Sequence, residues 1–393
     1  MQLKIPFYHL IKNRTFYICT MKKVYLDNAA TTPIRHEVID EMVKVMQAEY
    51  GNPSSTHSIG RSSKAVIEMA RKTIAKLLHC NAPEIIFTST ATEATNWILR
   101  SAVKDFGVKR IITSKVEHHA TLYTILALQD EFGIQVDYAN VSQDGTLDYN
   151  QFESFLTTDI KTLVSLMHVN NETGVVNDIN KIGVMCRQNK ALFHCDTVQS
   201  IGKIELDLHE LPIDFIVASA HKFHGPKGVG FAYVRKSLVL QPMLFGGEQE
   251  KGWRAGTESV HQIAGMAKAL DLSYENLVNE RKDIADLKAY CFQQLQAAFP
   301  EVAINGLNTF HNILNVNFPF APEKTAMILF HLDMKGIAVS RGSACQSGSI
   351  KPSHVLAEML NEDDLKKPSL RISFSHYNTK EEIDYLVETL RGI

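Results

Sequence analysis

The chain has 393 residues, enough for two domains of about 150 residues or more. Apolar residues make up 45% and charged ones 21%, which excludes disordered and fibrous classes, and a formal charge of −2 gives no strongly basic surface for nucleic acid. No run reaches about 18 uninterrupted apolar residues, so no membrane-spanning helix is expected, and six scattered cysteines without a C-x-x-C pair argue for a reducing, cytoplasmic compartment rather than a disulfide framework or structural zinc.

Residues 1–20 carry apolar runs broken by His9, Lys12, Asn13 and Arg14, with no A-x-A-like cleavage site, and do not read as a signal peptide. They read as an N-terminal extension, disordered or not translated, with Met21 as a natural start. From about residue 64 to 235, short apolar runs alternate with amphipathic stretches. EIIFTS (84–89), RIITS (110–114), TLVSLMHV (162–169), ALFHCD (191–196), DFIVASA (214–220) and GVGFAYV (228–234) read as strands. Between them NKIGVMCRQNK (180–190) has a helical apolar side at Ile182, Val184 and Met185. Near-continuous Ile/Val/Leu runs separated by helices indicate a mostly parallel sheet covered on both faces. From about residue 271 a long charged helical stretch, short strands and a last helix follow. Thr379 to Glu382 fits a capping box ahead of Ile383, Leu386, Val387 and Leu390. The expected organisation is a large α/β domain and a smaller α+β domain.

Four places carry chemistry. Lys222, between an apolar strand and a Gly/Pro-rich turn in SAHKFHGPKGVG (219–230), suits a desolvated amine that bonds an aldehyde, against the alternative of a solvated loop lysine like Lys227. Asp196 ends a strand, where ligands sit in open α/β sheets. It either pairs with a protonated pyridine nitrogen or caps the next helix. In FTSTATEATNWIL (87–99), Thr90 and Glu93 match a capping box, so the amides of Ala91 and Thr92 face outward as an anion site suited to phosphate. Cys345 lies in a Ser/Gly-rich stretch, 340–353, without helical or strand period, and is a candidate nucleophile on a long tether. Cys80, Cys186, Cys195 and Cys291 read as buried and inert. His118-His119, His194-Cys195 and His221-x-x-His224 lack the spacing of a zinc signature, so no metal is expected. Together the four places describe one site: an amine for an aldehyde, a carboxylate for a ring nitrogen, a helix start for a phosphate, and a thiol; pyridoxal phosphate is the cofactor that asks for the first three.

From Met21 onward the chain resembles cysteine desulfurases of the NifS/IscS type, within the class V aminotransferase superfamily of fold-type-I pyridoxal-phosphate enzymes. The resemblance rests on YLDNAATTP (25–33), GNPSSTHSIGR (51–61), ATEATN (91–96), EHHA (117–120), MHVNNETGVV (167–176), DTVQSIGK (196–203), SAHKFHGPKG (219–228), GWRAGTE (252–258) and GSACQSGSIKPSHVL (342–356). It implies an aspartate-aminotransferase-like fold: a large cofactor-binding domain over 35–270, and a small domain formed by 21–34 and 271–393 that carries the mobile catalytic-cysteine loop at about 340–355. Thr90 departs from the family, which usually has Gly there, and Arg341 stands in place of a common Ser.

The resemblance further implies that Lys222 bonds the pyridoxal 5'-phosphate, Asp196 pairs with its ring nitrogen, and His118 stacks on the ring and moves protons. Gln199 would hydrogen-bond the phenolic oxygen, and Asn171 would hold cofactor and substrate. Ala91, Thr92, Ser219 and His221 would hold the phosphate, joined by Thr257 from a second subunit, which implies a homodimer. Arg371 would take the substrate carboxylate, a pairing that suits a guanidinium fork, and Asn28 and Ala29 would line the substrate pocket. The implied reaction takes sulfur from L-cysteine, leaves a persulfide on Cys345 and releases L-alanine. The sulfur would pass to an acceptor protein, either an iron–sulfur scaffold or a thiolation protein. Selenocysteine lyase, another class V enzyme, and a non-catalytic partner-binding module are the alternatives.

Overall fold

The computed structural model describes residues 22–325, 327–342 and 352–393. Cys345 and the N-terminal extension lie outside these. The strands, in chain order, are β1 (Val24–Tyr25), β2 (Ile85–Thr88), β3 (Arg110–Thr113), β4 (Gln135–Tyr138), β5 (Thr162–Met167), β6 (Leu192–Asp196), β7 (Phe215–Ser219), β8 (Gly230–Val234), β9 (Ala303–Ile304), β10 (Ile313–Asn317), β11 (Ile337–Ala338) and β12 (Ser369–Ser373). The helices used below are α1 (His36–Ala48), α2 (Ser58–Leu77), α3 (Ala91–Lys104), α4 (His119–Phe132), α5 (Tyr149–Leu156), α6 (Ile179–Gln188), α7 (Val260–Glu275), α8 (Leu277–Ala298), α9 (Met327–Met334), α10 (His354–Met359), α11 (Glu362–Lys366) and α12 (Lys380–Arg391).

Seven strands form one sheet in the order β2-β8-β7-β6-β5-β3-β4, in which β8 alone runs against the others. The apolar runs of the sequence become its centre, and every residue of β5, β7 and β8 is buried. Helices cover both faces, as unbroken apolar strands require. The core under α1, α2, α6 and α7 contains Ile67, Phe193 and Phe231, and the opposite one, under α3 and α4, contains Trp97, Ile98 and Val217. β4 has no apolar run to announce it. It is an edge strand, QVDY, whose residues stay partly exposed, so the burial that produces the signal is missing.

A separate antiparallel sheet, β12-β10-β9, packs against α8, α9 and α12, while β1 pairs in parallel with β11. The N-terminal strand is thus built into the C-terminal part of the chain: Ser373 N donates to Leu26 O at 2.7 Å. The capping box at the start of α12 is present, with Thr379 N donating to Glu382 Oε2 at 3.1 Å. The first turn of α3 differs from the sequence reading. Thr90 Oγ1 accepts from Glu93 N at 3.1 Å, but the Glu93 carboxylate reaches past Thr90 to Ser89 N at 2.9 Å and to the Ser89 hydroxyl. It is also held by Arg254 Nε at 2.8 Å, a long-range partner that no local pattern reveals.

Candidate active site

In five places a strand of the large sheet delivers a cavity-lining residue at or just past its carboxyl end. β6 ends at Asp196, β7 ends at Ser219 ahead of His221 and Lys222, β2 leads into α3 at Ala91, β3 leads to His118 at the N-cap of α4, and β5 leads to Asn171. Carboxyl ends of parallel strands open one crevice. The result is a cavity whose wall includes Ala29, Ala91, Thr92, His118, Asn171, Asp196, Gln199, Ser219, His221, Lys222 and Arg371. Residues nearly 350 positions apart in sequence meet there.

Lys222 Nζ donates to Ala29 O at 2.7 Å and to Ala30 O at 2.8 Å, so the amine is aimed across the cavity at the LDNAATT turn. Lys227, by contrast, is exposed. Asp196 does not cap a helix. Its Oδ1 accepts from Val198 N at 2.9 Å, and burial raises its pKa, with the Val198 amide and Lys222 acting against that. Beside it Glu117 is wholly buried. Burial raises its pKa well above the carboxylate range, opposed by the Met167 amide, with the Asp196 charge adding to the rise. His118 Nδ1 accepts from Ala120 N at 3.1 Å. Burial first, then Lys222 and His354, push its pKa down to about 4. The imidazole is therefore neutral at pH 7, and with Nδ1 accepting, Nε2 carries the proton. His221 is likewise held at about 4, by burial and then by Lys222, Lys227 and Lys203.

Arg371 projects from β12 with 1% of its surface exposed. Its Nη1 donates to Asn171 O at 2.8 Å and its Nη2 to Asp27 Oδ1 at 2.7 Å, while the buried Nε has no partner among the described residues. Gln199 Nε2 donates to Ala29 O at 2.9 Å. Two expected residues behave differently. The Ala91 amide is not free but donates to Ser219 Oγ at 2.8 Å, because Ser219 ends β7 directly beneath the helix start. Asn28 is absent from the cavity wall. Its side-chain nitrogen is committed to Ser373 O at 2.9 Å and Asn378 Oδ1 at 3.2 Å, which tie this turn to the smaller sheet.

Thr257 lies apart from Lys222 within one chain. It lines a neighbouring pocket with Glu250, Arg254 and Glu258. Of the cysteines set aside as inert, Cys186, Cys195 and Cys291 are buried and Cys80 is half-buried. Burial raises the thiol pKa of all four, Cys80 to about 12. Asp27, Glu117, Glu172 and Lys203 were not singled out in the sequence. All four stand within the quoted motifs, Asp27, Glu117 and Glu172 directly beside Asn28, His118 and Asn171, and only the fold shows which neighbours they face.

The two described ends of the stretch that bears Cys345 come to this same place. Ser340 and Arg371 exchange backbone hydrogen bonds. On the far side, the Ser353 hydroxyl donates to Glu172 Oε2 and His354 Nε2 meets Glu117 O at 2.9 Å. Glu172 is completely buried, and a Cβ on Gly342 would stand 2.8 Å from its Oε2.

The pattern of the Aminotransferase class-V family matches residues 24–386. The chain belongs to this family. Members of class V use pyridoxal phosphate, and so does this class-V enzyme. "Cysteine desulfurase IscS" of Dictyoglomus turgidum is 39% identical over 374 residues, spanning 95% of this chain and 94% of that protein. The protein of the same description from Clostridium botulinum is 40% identical over 377 residues, with the same coverage. Among solved structures, a NifS-like protein superposes with a TM-score of 0.87 at 35% identity, covering 94% of this chain and 99% of its own. One titled "SspA in complex with cysteine" gives 0.79 at 29%, covering 91% and 100%.

The class-V site fits the cofactor on its own chemistry. A buried Asp196 with one backbone donor, a raised pKa and no ion pair among the described residues is a carboxylate that a protonated ring nitrogen would suit. Opposite, β8 approaches the start of α3 closely enough that a Cβ on Gly230 would stand 3.2 Å from Ala91 N. That packing brings the helix terminus, an electropositive end suited to phosphate, onto the cavity wall.

Proposed function

We propose that this class-V enzyme is a cysteine desulfurase: it takes sulfur from L-cysteine, releases L-alanine and holds the sulfur as a persulfide on Cys345 for an acceptor protein. The observation that carries the reading is the meeting, at one cavity, of Lys222, Asp196, His118 and Arg371 with both described ends of the chain around Cys345. Cys345 is five residues from Ser340, a span of about 17 Å at full extension.

Bound pyridoxal phosphate supplies an electron sink that makes the Cα proton of the amino acid acidic. Lys222 would bond the cofactor, and its amine would carry that Cα proton. Asp196 would keep the ring nitrogen protonated, Gln199 would donate to the phenolic oxygen, and Asn171 would hold cofactor and substrate. Thr92, Ser219 and His221 would hold the phosphate beside Ala91, whose amide is already given to Ser219. Thr257 completes that cradle from the second subunit of a homodimer, in keeping with its place in a separate pocket of the single chain. Arg371 receives the substrate carboxylate beside Ala29, and His118, with a proton on Nε2, serves as donor at the ring face.

The Cys345 thiolate then attacks the cysteine sulfur. A sulfur–sulfur bond forms, the carbon–sulfur bond breaks with its electron pair going to carbon, and a proton at that carbon completes alanine. Cysteine and thiol thus become alanine and persulfide with no external oxidant. The acceptor is read as an iron–sulfur scaffold or a thiolation protein, by analogy with IscS relatives.

The test is to quantify alanine and sulfide from L-cysteine with and without reductant, and to weigh the Cys345 peptide. Cys345→Ala should keep cofactor absorbance and lose sulfide release. Undiminished release would remove Cys345 from the mechanism.

A further inference from the structure

We propose that Lys203 is a positioning residue of this site, orienting the Gln199 amide and setting a second cation beneath Lys222. Neither the sequence motifs nor the reaction above assigns it a role.

Lys203 follows the turn at Gly202, where φ is +74° and a Cβ would stand 2.9 Å from the Phe223 Cβ. That turn directs Lys203 under the cavity rather than into solvent. Its Nζ lies 3.4 Å from Gln199 Oε1. In its charged form Lys203 only donates, so the amide oxygen of Gln199 faces it and the NH₂ faces the other way. The NH₂ does so, donating to Ala29 O at 2.9 Å, and that oxygen also accepts from Lys222 Nζ at 2.7 Å. One chain of contacts therefore runs from Lys203 through Gln199 and the Ala29 carbonyl to Lys222.

The charges around Lys203 come from several elements. Lys222, His221 and His224 face it from the turn after β7, His311 from the segment before β10, and Arg281 and Glu280 from α8. Glu280 is already held by Arg35 at 2.7 and 2.8 Å. Among the described residues no carboxylate forms an ion pair with Lys203. Burial, then Lys222, bring its pKa down to about 7. A cation so placed opposes protonation of neighbouring groups, and a fixed Gln199 donor favours the anionic form of whatever oxygen it meets. Removing Lys203 weakens both effects, and both losses push the bound cofactor toward its protonated form.

The inference rests on Lys222 as the amine that bonds the cofactor. The experiment is a pH titration of the visible absorbance of the holoenzyme, wild type against Lys203→Met and Lys203→Arg. Borohydride reduction and peptide mass analysis of each protein identify the modified lysine. In Lys203→Met the midpoint should rise by about one pH unit, a tenfold gain in proton affinity, and Lys203→Arg should return it toward wild type. Should Lys203→Met fail to fold, Lys203→Gln carries the same comparison. An unmoved midpoint with the mark on Lys222 overturns the role of Lys203 alone. A mark on a different lysine overturns the site assignment and this inference with it.

Discussion

Arg371 and Ser340 exchange both of their backbone hydrogen bonds, Arg371 N to Ser340 O at 2.6 Å and Ser340 N to Arg371 O at 3.2 Å. The residue whose guanidinium lines the cavity therefore also fixes the chain shortly before Cys345. On the proposed reading, substrate binding and thiol delivery share one strand.

Arg371→Lys keeps the charge and the backbone pairing but loses the fork that serves Asp27 and Asn171 together. We expect kcat/KM for L-cysteine to fall about 100-fold, equivalent to roughly 2.7 kcal/mol. Steady-state kinetics check it. A change of less than about threefold would remove Arg371 from carboxylate binding.

Glu172 joins the two sides of the Cys345 segment, through the Ser353 hydroxyl and against Gly342. Glu172→Ala should slow persulfide formation about tenfold in a single turnover while cofactor absorbance stays unchanged, because misplacement costs rate without altering the cofactor site. Glu172→Gln, which keeps an acceptor for Ser353, should lose less. Equal rates in all three proteins would contradict the anchoring role.

Gly230 has no room for a side chain. A Cβ there would overlap Ala218 O and stand 3.1 Å from Thr90 C and 3.2 Å from Ala91 N. Gly230→Ala should cost about 1–3 kcal/mol of stability by overpacking. By displacing the start of α3, it should also weaken cofactor affinity at least about tenfold. Chemical denaturation and fluorescence titration of the cofactor read the two effects separately.

One buried histidine, His194, and two half-buried ones, His118 and His221, make the fold acid-sensitive. His118 and His221 are held at about 4 and His194 at about 3, each chiefly by burial. In the unfolded chain all three titrate near 6.5. Between those values the unfolded state binds more protons, so stability falls as pH drops below about 6.5. Glu117, raised by burial, acts in the opposite sense. Thermal melting at pH 7 and pH 5 should show the loss. His194→Gln, away from the cavity wall and next to Ser165, should reduce the difference between the two temperatures. An unchanged difference would exclude His194 as a source.

The strands legible in the sequence were the buried ones. β5, β6, β7 and β8 carry near-continuous apolar runs because both of their faces are covered, whereas β4, half wet, left no such trace. The capping box of α12 was readable because both partners lie within four residues. That of α3 was half-readable, since Arg254 and Ser89 compete for Glu93.

Residue type and motif order fixed the family of chemistry: an amine, a carboxylate, a phosphate-binding helix start and a thiol can be recognised without coordinates, since each is a local property of a few neighbouring residues. What folding alone decided is which groups share a cavity and which way they face. Asn28 stands beside Ala29 in the chain, yet its amide is used to tie the turn to the smaller sheet. Lys203 and Asp27 acquire their meaning from partners 4 and 344 positions away. Burial, direction and charge proximity depend on packing between distant segments, so they exist only once the strands have delivered their carboxyl ends to the same crevice.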